Sequence, residues 1–189
     1  MNHSTKNPRL IVLSSPSGGG KTTICKALIN RHENLKPSIS ATTRAPRSHE
    51  VNGKDYFFLD KKKFEEKIRN DEFLEYEEVH SNYYGTLKSH VQKYLDQGYS
   101  IIFDVDVKGA LSIKKQYPDA LLFFIHPPSL EELKKRLKNR QAESEQEIEK
   151  RLERLPGEFA HAKYFDYEIT NTVLEETIER IDNIINNYI

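Results

Sequence analysis

The sequence predicts one α/β domain in which a parallel sheet is flanked by helices. Three observations lead there. The apolar run Leu10 to Leu13 feeds through a glycine-rich turn into Ile24, Ala27 and Leu28, which sit at helical spacing. Two further apolar segments, residues 101 to 105 and 120 to 126, are short, bounded by turn or polar residues and separated by helical patterns, the texture of strands buried on both faces. Near the end, a candidate strand from Asp166 to Thr170 precedes a helix from about Leu174 to Ile185 with Ile178, Ile181, Ile184 and Ile185 on one face. A chain of 189 residues, 37% of them hydrophobic, is long enough for one sizeable core and short for two independent domains.

Taken in order, the first strand runs into Ser15-Pro16-Ser17-Gly18-Gly19-Gly20-Lys21-Thr22-Thr23. Three consecutive glycines let the backbone turn tightly and aim N–H groups at one anion, and the helix that follows adds the positive end of its dipole. In such a loop Lys21 lies against the β- and γ-phosphates of a nucleoside triphosphate and the Thr22 hydroxyl binds Mg²⁺. The pattern G-x-x-x-x-G-K-[ST] departs at its first position, where Ser15 stands. A plain glycine turn ending in a surface lysine is the alternative; strand before and helix after favour the phosphate loop. Cys25, the single cysteine, falls inside this first helix and reads as a small buried hydrophobe.

Between residues 37 and 90 the texture changes to Ser, Thr, Arg and Pro and then to aromatic stretches, Tyr56 to Phe58 and Phe73 to Tyr76, that read as antiparallel strands of an inserted unit. Arg44 and Arg47 lie three apart on a segment held extended by Pro46, a spacing that suits a phosphate and equally a solvated turn. Asp104 and Asp106 follow the strand of residues 101 to 103, the end at which ligands of open parallel sheets collect, and they could also cap the next helix. Residues 129 to 163 are rich in charge at helical spacing with a polar interruption at residues 139 to 144, as in a helical hairpin that could serve as a lid. Arg136 and Arg140, four apart, share a helix face, where they could reach a triphosphate or form an ion-pair stripe with Glu132 and Glu143.

Composition excludes several classes. Lys plus Arg and Asp plus Glu both number 29, so no global field draws the chain to nucleic acid or an anionic membrane. One cysteine forms no internal disulfide. Met1 to Arg9 lacks the apolar centre of a signal peptide, and Ala120 to Ile125 is too short to span a bilayer, so a cytoplasmic location is expected with neither membrane nor nucleic acid as partner. Seven scattered histidines form no His-Glu-x-x-His motif; His49 and His80 read as surface residues.

The Ser-Pro-Ser-Gly-Gly-Gly-Lys-Thr loop, Thr42-Thr43-Arg44-Ala45-Pro46-Arg47, Asn82-Tyr83-Tyr84-Gly85, Asp104-Val105-Asp106-Val107-Lys108-Gly109 and Pro127-Pro128-Ser129 occur in one order that resembles the guanylate kinases, over nearly the whole chain. The resemblance implies a P-loop kinase with a core of about residues 8–36, 91–128 and 164–189, a mixed-β GMP-binding subdomain of about 37–90 and a helical lid of about 129–163. It implies ATP and GMP as substrates, dGMP as a further acceptor, and Mg²⁺ as cofactor held by Thr22 and, through water, Asp104. Arg44, Arg47, Tyr56 and Tyr84 would hold the GMP phosphate; Ser40, Glu75, Thr86 and Asp106 the guanine; Asn171 the adenine edge. Lys21, Arg44 and the lid arginines Arg136, Arg140 and Arg151 would carry catalysis. Guanine offers N1–H and an exocyclic amino group side by side, so a carboxylate such as Glu75 or Asp106 accepts from both, which adenine cannot match. The acceptor is a phosphate oxygen already largely ionised at neutral pH, so no general base is needed.

Family members usually carry glycine at the positions of His49 and Gln141 and aspartate at that of Thr172. Guanylate-kinase-like scaffolds without phosphoryl transfer form a competing class, but they need neither Lys21 with Thr22 nor lid arginines. A related kinase with a non-guanine acceptor would lack a use for Glu75 with Asp106. The resemblance leaves oligomeric state open.

Overall fold

The computed structural model describes residues 7–16, 18–79, 81–139 and 145–189. Its centre is a five-stranded, all-parallel sheet built from β1 (Leu10–Ser14), β2 (Leu35–Pro37), β7 (Ser100–Asp104), β8 (Leu121–His126) and β9 (Tyr167–Thr170), in the order β2-β7-β1-β8-β9. Because successive strand residues face opposite ways, the apolar runs split between two layers. Leu10, Val12, Ile101, Phe103, Leu122 and Phe124 pack on one face with α3 (Lys88–Asp96) and α4 (Val107–Gln116). Ile11, Leu13, Ile102, Phe123, Ile125 and Ile169 pack on the other with α1 (Lys21–Arg31) and α7 (Leu174–Ile185). Ile178, Ile181 and Ile185 of α7 are buried there, beside the partly buried Ile184, so the isoleucine stripe faces the sheet as its spacing predicts. Cys25 is buried in the same layer, where burial pushes its thiol up, out of the reactive range.

The sequence pattern passes over β2, a three-residue edge strand with one buried side chain, Leu35, and a terminal proline. Proline is tolerated there because the edge requires no further ladder donor.

The inserted segment folds as a second, four-stranded sheet ordered β4-β3-β6-β5, with β3 at Ala41–Thr42, β4 at Phe57–Phe58, β5 at Phe73–Val79 and β6 at Asn82–Leu87. Strands β5 and β6 are antiparallel, and so are β3 and β6. The aromatic pair in β4 departs from the antiparallel expectation: it runs parallel to β3, Ala41 opposite Phe57. Residues 43 to 56 are a connection long enough to carry the chain back to the starting end of β3, so a hairpin is not forced. Phe64 of α2 (Lys61–Arg69) closes this sheet's small core, stacked on Phe73 at 4.3 Å and Tyr83 at 5.3 Å.

Beyond β8, α5 (Leu130–Asn139) and α6 (Glu145–Ala160) meet through Leu133, Leu137, Leu152, Leu155 and Phe159. Among the described residues no helix is long and apolar enough to cross a membrane.

Candidate active site

The C-terminal ends of β1, β7, β8 and β9 all open on one edge of the parallel sheet, and the site grows from the loops that leave them. After β1 the chain turns tightly, with the Gly19 amide donating to the Pro16 carbonyl at 3.0 Å. Gly20 sits at φ 94°, a left-handed conformation that costs other residues energy, and α1 starts directly from it. No side chain caps α1 and no acidic residue occupies its first turn. Its free N–H groups and positive dipole end are thus left for an anion from outside the chain. Ser15 is accommodated by the missing side chain of Gly19, where a Cβ would come within 2.4 Å of the Ser15 Oγ. That explains why serine fits at the position where the pattern has glycine.

Lys21 folds back so that its Nζ donates to the Ser15 carbonyl at 2.8 Å. Burial pulls this ammonium below the ordinary lysine range, while Asp104, Glu158 and Asp106 work in the opposite direction. The sheet register places Leu13 opposite Asp104, so the strand-end carboxylate lies beside the loop. Thr22 donates to Asp104 Oδ2 at 2.5 Å. Thr23 is exposed on the same turn. Ser17 lies outside the described residues.

The second sheet supplies the other half. Register sets Glu75 opposite Thr86, whose fully buried hydroxyl donates to Glu75 Oε1 at 2.7 Å, with Ser38 Oγ at 3.4 Å from the same hydroxyl. Burial pushes the Glu75 carboxyl up to about 7; Asp106 and Glu77 add to this, and the Thr86 hydrogen bond opposes it. Asp106 caps α4, accepting from the Gly109 amide at 2.7 Å, so its capping reading holds. Glu75 approaches the same spot: a Cβ at Gly109 would lie 3.1 Å from Asp106 Oδ1 and 3.4 Å from Glu75 Oε2. Ser40 precedes β3, and its carbonyl accepts from the Phe57 amide at 2.9 Å.

Arg44 leaves the end of β3 and forks onto Glu50, Nη1 to Oε2 at 3.0 Å and Nη2 to Oε1 at 2.7 Å. Its guanidinium lies 5.3 Å from the Tyr56 ring centre, and Tyr56 stands edge-on to Tyr84 at 6.2 Å. Glu50 also accepts from the Arg47 amide at 2.7 Å, while the Arg47 side chain stays exposed. The Arg44 fork and the Arg47 amide hold the Glu50 carboxyl down at about 2. Sequence reasoning passed over Glu50 as an actor, although a carboxylate six residues after Arg44 was the available signal.

Of the lid arginines, Arg136 lies on α5 and Arg151 on α6, but their side chains, and all of Arg140, fall outside the described residues; so does His80. The base of α5 packs against the phosphate loop: a Cβ at Gly18 would be 3.1 Å from Leu133 Cδ1 and 3.5 Å from Leu137 Cδ2. Asn171, at the end of β9, is 3% exposed and turns its amide toward the loop backbone.

A glycine-rich turn and an uncapped helix start at the end of the central strand, with Lys21 folded onto the turn and a second sheet carrying the buried Glu75 and the forked Arg44, are the equipment of a P-loop kinase. The guanylate kinase family matches residues 7–188 of the chain. It is 46% identical over 180 residues to a guanylate kinase of Caldanaerobacter subterraneus subsp. tengcongensis, covering 95% of this chain and 87% of that protein. It is 46% identical over 176 residues to one of Rickettsia felis, covering 93% and 92%. A crystal structure of guanylate kinase from Anaplasma phagocytophilum superposes with a TM-score of 0.74 at 35% identity, covering 96% of this chain and 86% of that one. The chain belongs to the guanylate kinase family.

Proposed function

We propose that the chain is an ATP:GMP phosphotransferase of purine nucleotide metabolism, converting ATP and GMP to ADP and GDP, with dGMP as a second acceptor. The single observation that carries this reading is the position of Asp106. It acts electrostatically on Lys21 after β1 and on Glu75 in the second sheet, which supports the reading of a guanine-binding carboxylate pair beside a triphosphate site. Ionised Glu75 and Asp106 would accept the N1–H and amino hydrogens of guanine, with Ser40 and Thr86 completing the base pocket. An adenine in that place would leave them desolvated and unpaired, about 1 to 3 kcal/mol for each neutral group and more for a charge. Arg44, Arg47, Tyr56 and Tyr84 would hold the acceptor phosphate in line with the donor.

Alignment and charge neutralisation then suffice, because the attacking oxygen belongs to a phosphate whose second pKa is about 6. Lys21, Arg44 and the arginines 136, 140 and 151 would supply positive charge to the transferring group, and α5 with α6 would cover it. The residues 37–90 would serve as the GMP-binding subdomain and 129–163 as the lid. Thr22 and Asp104 form a hydroxyl and carboxylate pair, a hard-oxygen donor set that fits Mg²⁺. They would hold the ion together with the triphosphate, Asp104 through water, and it would neutralise phosphate charge there. The same reading puts the enzyme in the cytoplasm with its nucleotide substrates.

Release of ADP from ATP and Mg²⁺, with GMP, AMP, CMP or UMP in turn, tests this. Turnover with GMP alone that disappears in Lys21→Met is expected. A folded protein that turns over no acceptor, or one that prefers AMP, would overturn the assignment.

A further inference from the structure

Asn171 directly follows β9, and its backbone amide donates to the His126 carbonyl at 2.8 Å. Its side-chain Nδ2 donates to the Gly19 carbonyl at 3.1 Å. A carbonyl only accepts, so the amide has one possible orientation, which turns Oδ1 the other way, toward Thr177 Oγ1 at 3.2 Å. Thr177 sits in the first turn of α7, 3% exposed, and its one hydroxyl hydrogen is shared between Asn171 Oδ1 and the Val173 carbonyl, which lies 3.0 Å away. The contact with the loop is close: a Cβ at Gly20 would come within 2.8 Å of Asn171 Nδ2.

The Gly19–Gly20 peptide lies between two residues with no side chain, so local sterics restrain its plane weakly. It is trans and planar, so its carbonyl and the Gly20 N–H point in opposite directions. With the carbonyl held on Asn171, the N–H is directed away from Asn171. For an anion bound on the loop side away from Asn171, a rotation of this peptide would exchange that N–H for a carbonyl oxygen, a repulsive contact.

We propose that Thr177 and Asn171 form a clamp that orients the Gly19–Gly20 peptide and thereby sets the affinity for the donor triphosphate. In this role Asn171 acts on ATP through the loop rather than through the adenine edge, and Thr177 is a positioning residue that never touches nucleotide. The proposal rests on the phosphotransferase reading above for its kinetic form, but not for its binding form.

The test is Thr177→Val, which keeps the shape and removes the hydroxyl, beside Thr177→Ser, which restores it. Kinetic constants for ATP and GMP, calorimetric Kd for ATP with Mg²⁺ in the absence of acceptor, and melting temperature are measured for each. Thr177→Val is expected to raise KM and Kd for ATP about three- to tenfold, the scale of one buried neutral hydrogen bond, with KM for GMP within about twofold of the parent. Thr177→Ser should return both ATP constants. Unchanged ATP constants in folded Thr177→Val overturn the clamp, as does a joint rise for ATP and GMP that follows a lowered melting temperature. Asn171→Asp keeps the volume and sets a carboxylate against the Gly19 carbonyl; ATP binding at parental strength in that variant also overturns it. Should the parent protein fail to turn over GMP, the phosphotransferase reading falls, and the ATP titrations still decide the clamp.

Discussion

Glu75 is the residue whose environment makes the sharpest quantitative demand. Its carboxyl is held at about 7 against an ordinary 4.5, chiefly because the second sheet and α4 bury it. In the empty enzyme the folded state therefore binds a proton that the unfolded chain has released between those two values. Stability from this group is greatest at low pH and declines as pH rises through that window, by roughly 3 kcal/mol once Glu75 is fully ionised. Guanine, however, needs the ionised form, since only a carboxylate accepts from N1–H and the amino group together. Acceptor binding must then expel the proton. At about pH 6.5, Glu75 is about three-quarters protonated before binding, and GMP affinity should be about fourfold weaker than at pH 8. The acceptor's own phosphate accounts for about a 1.3-fold change over that range and about a quarter of a proton. Calorimetry of GMP binding in two buffers of different ionisation enthalpy counts the protons directly. Release of close to one proton at about pH 6.5, falling below about 0.2 at pH 8, is expected, with Glu75→Gln releasing only the phosphate's share. Release of no more than about a quarter of a proton in the parent enzyme would refute the argument, because Glu75 would then already be ionised or would remain protonated against the base.

Two further outcomes follow from side chains seen in the site. Gly19→Ala should lower both stability and ATP affinity, since its Cβ would meet Ser15 Oγ at 2.4 Å and Ser15 Cβ at 2.7 Å. Pairing it with Ser15→Gly should recover most of the loss, a coupling that thermal melts and ATP titrations of the two single variants and the double variant would show. Glu50→Gln replaces the charged fork on Arg44 with a weaker one and should raise KM for GMP severalfold while leaving KM for ATP unchanged; equal shifts in both would separate Glu50 from the acceptor phosphate.

Strands of the parallel sheet are legible because each must be apolar on both faces, so β1, β7 and β8 announce themselves as unbroken runs, and α7 as a stripe of isoleucines. The phosphate loop is legible for a different reason: its chemistry is carried by backbone, which only a short contiguous glycine stretch can present. Recognition of the acceptor site went further than residue spacing allowed, because Glu75 read alone is one acidic residue beside Glu77 and Glu78. Its partners Thr86 and Asp106 come from another strand and another helix. The direction of β4 and the short edge strand β2 were hidden too, since two or three residues carry no period and their pairing is set by what lies next to them.

Local sequence was thus enough for what a contiguous segment does with its own atoms: the strand, loop and helix that cradle a triphosphate, the apolar layers of the core, and the family to which the order of motifs belongs. Folding alone settled what depends on groups distant in the chain. Thr86 donating across the strand pair to Glu75, Asp106 acting on both Lys21 and Glu75, and Asn171 reaching back across the sheet to Gly19 are such groups. A hydrogen bond or a desolvation penalty acts over a few ångströms of space whatever the separation in sequence, so those charges and orientations come into being only when the two sheets and their helices close around them.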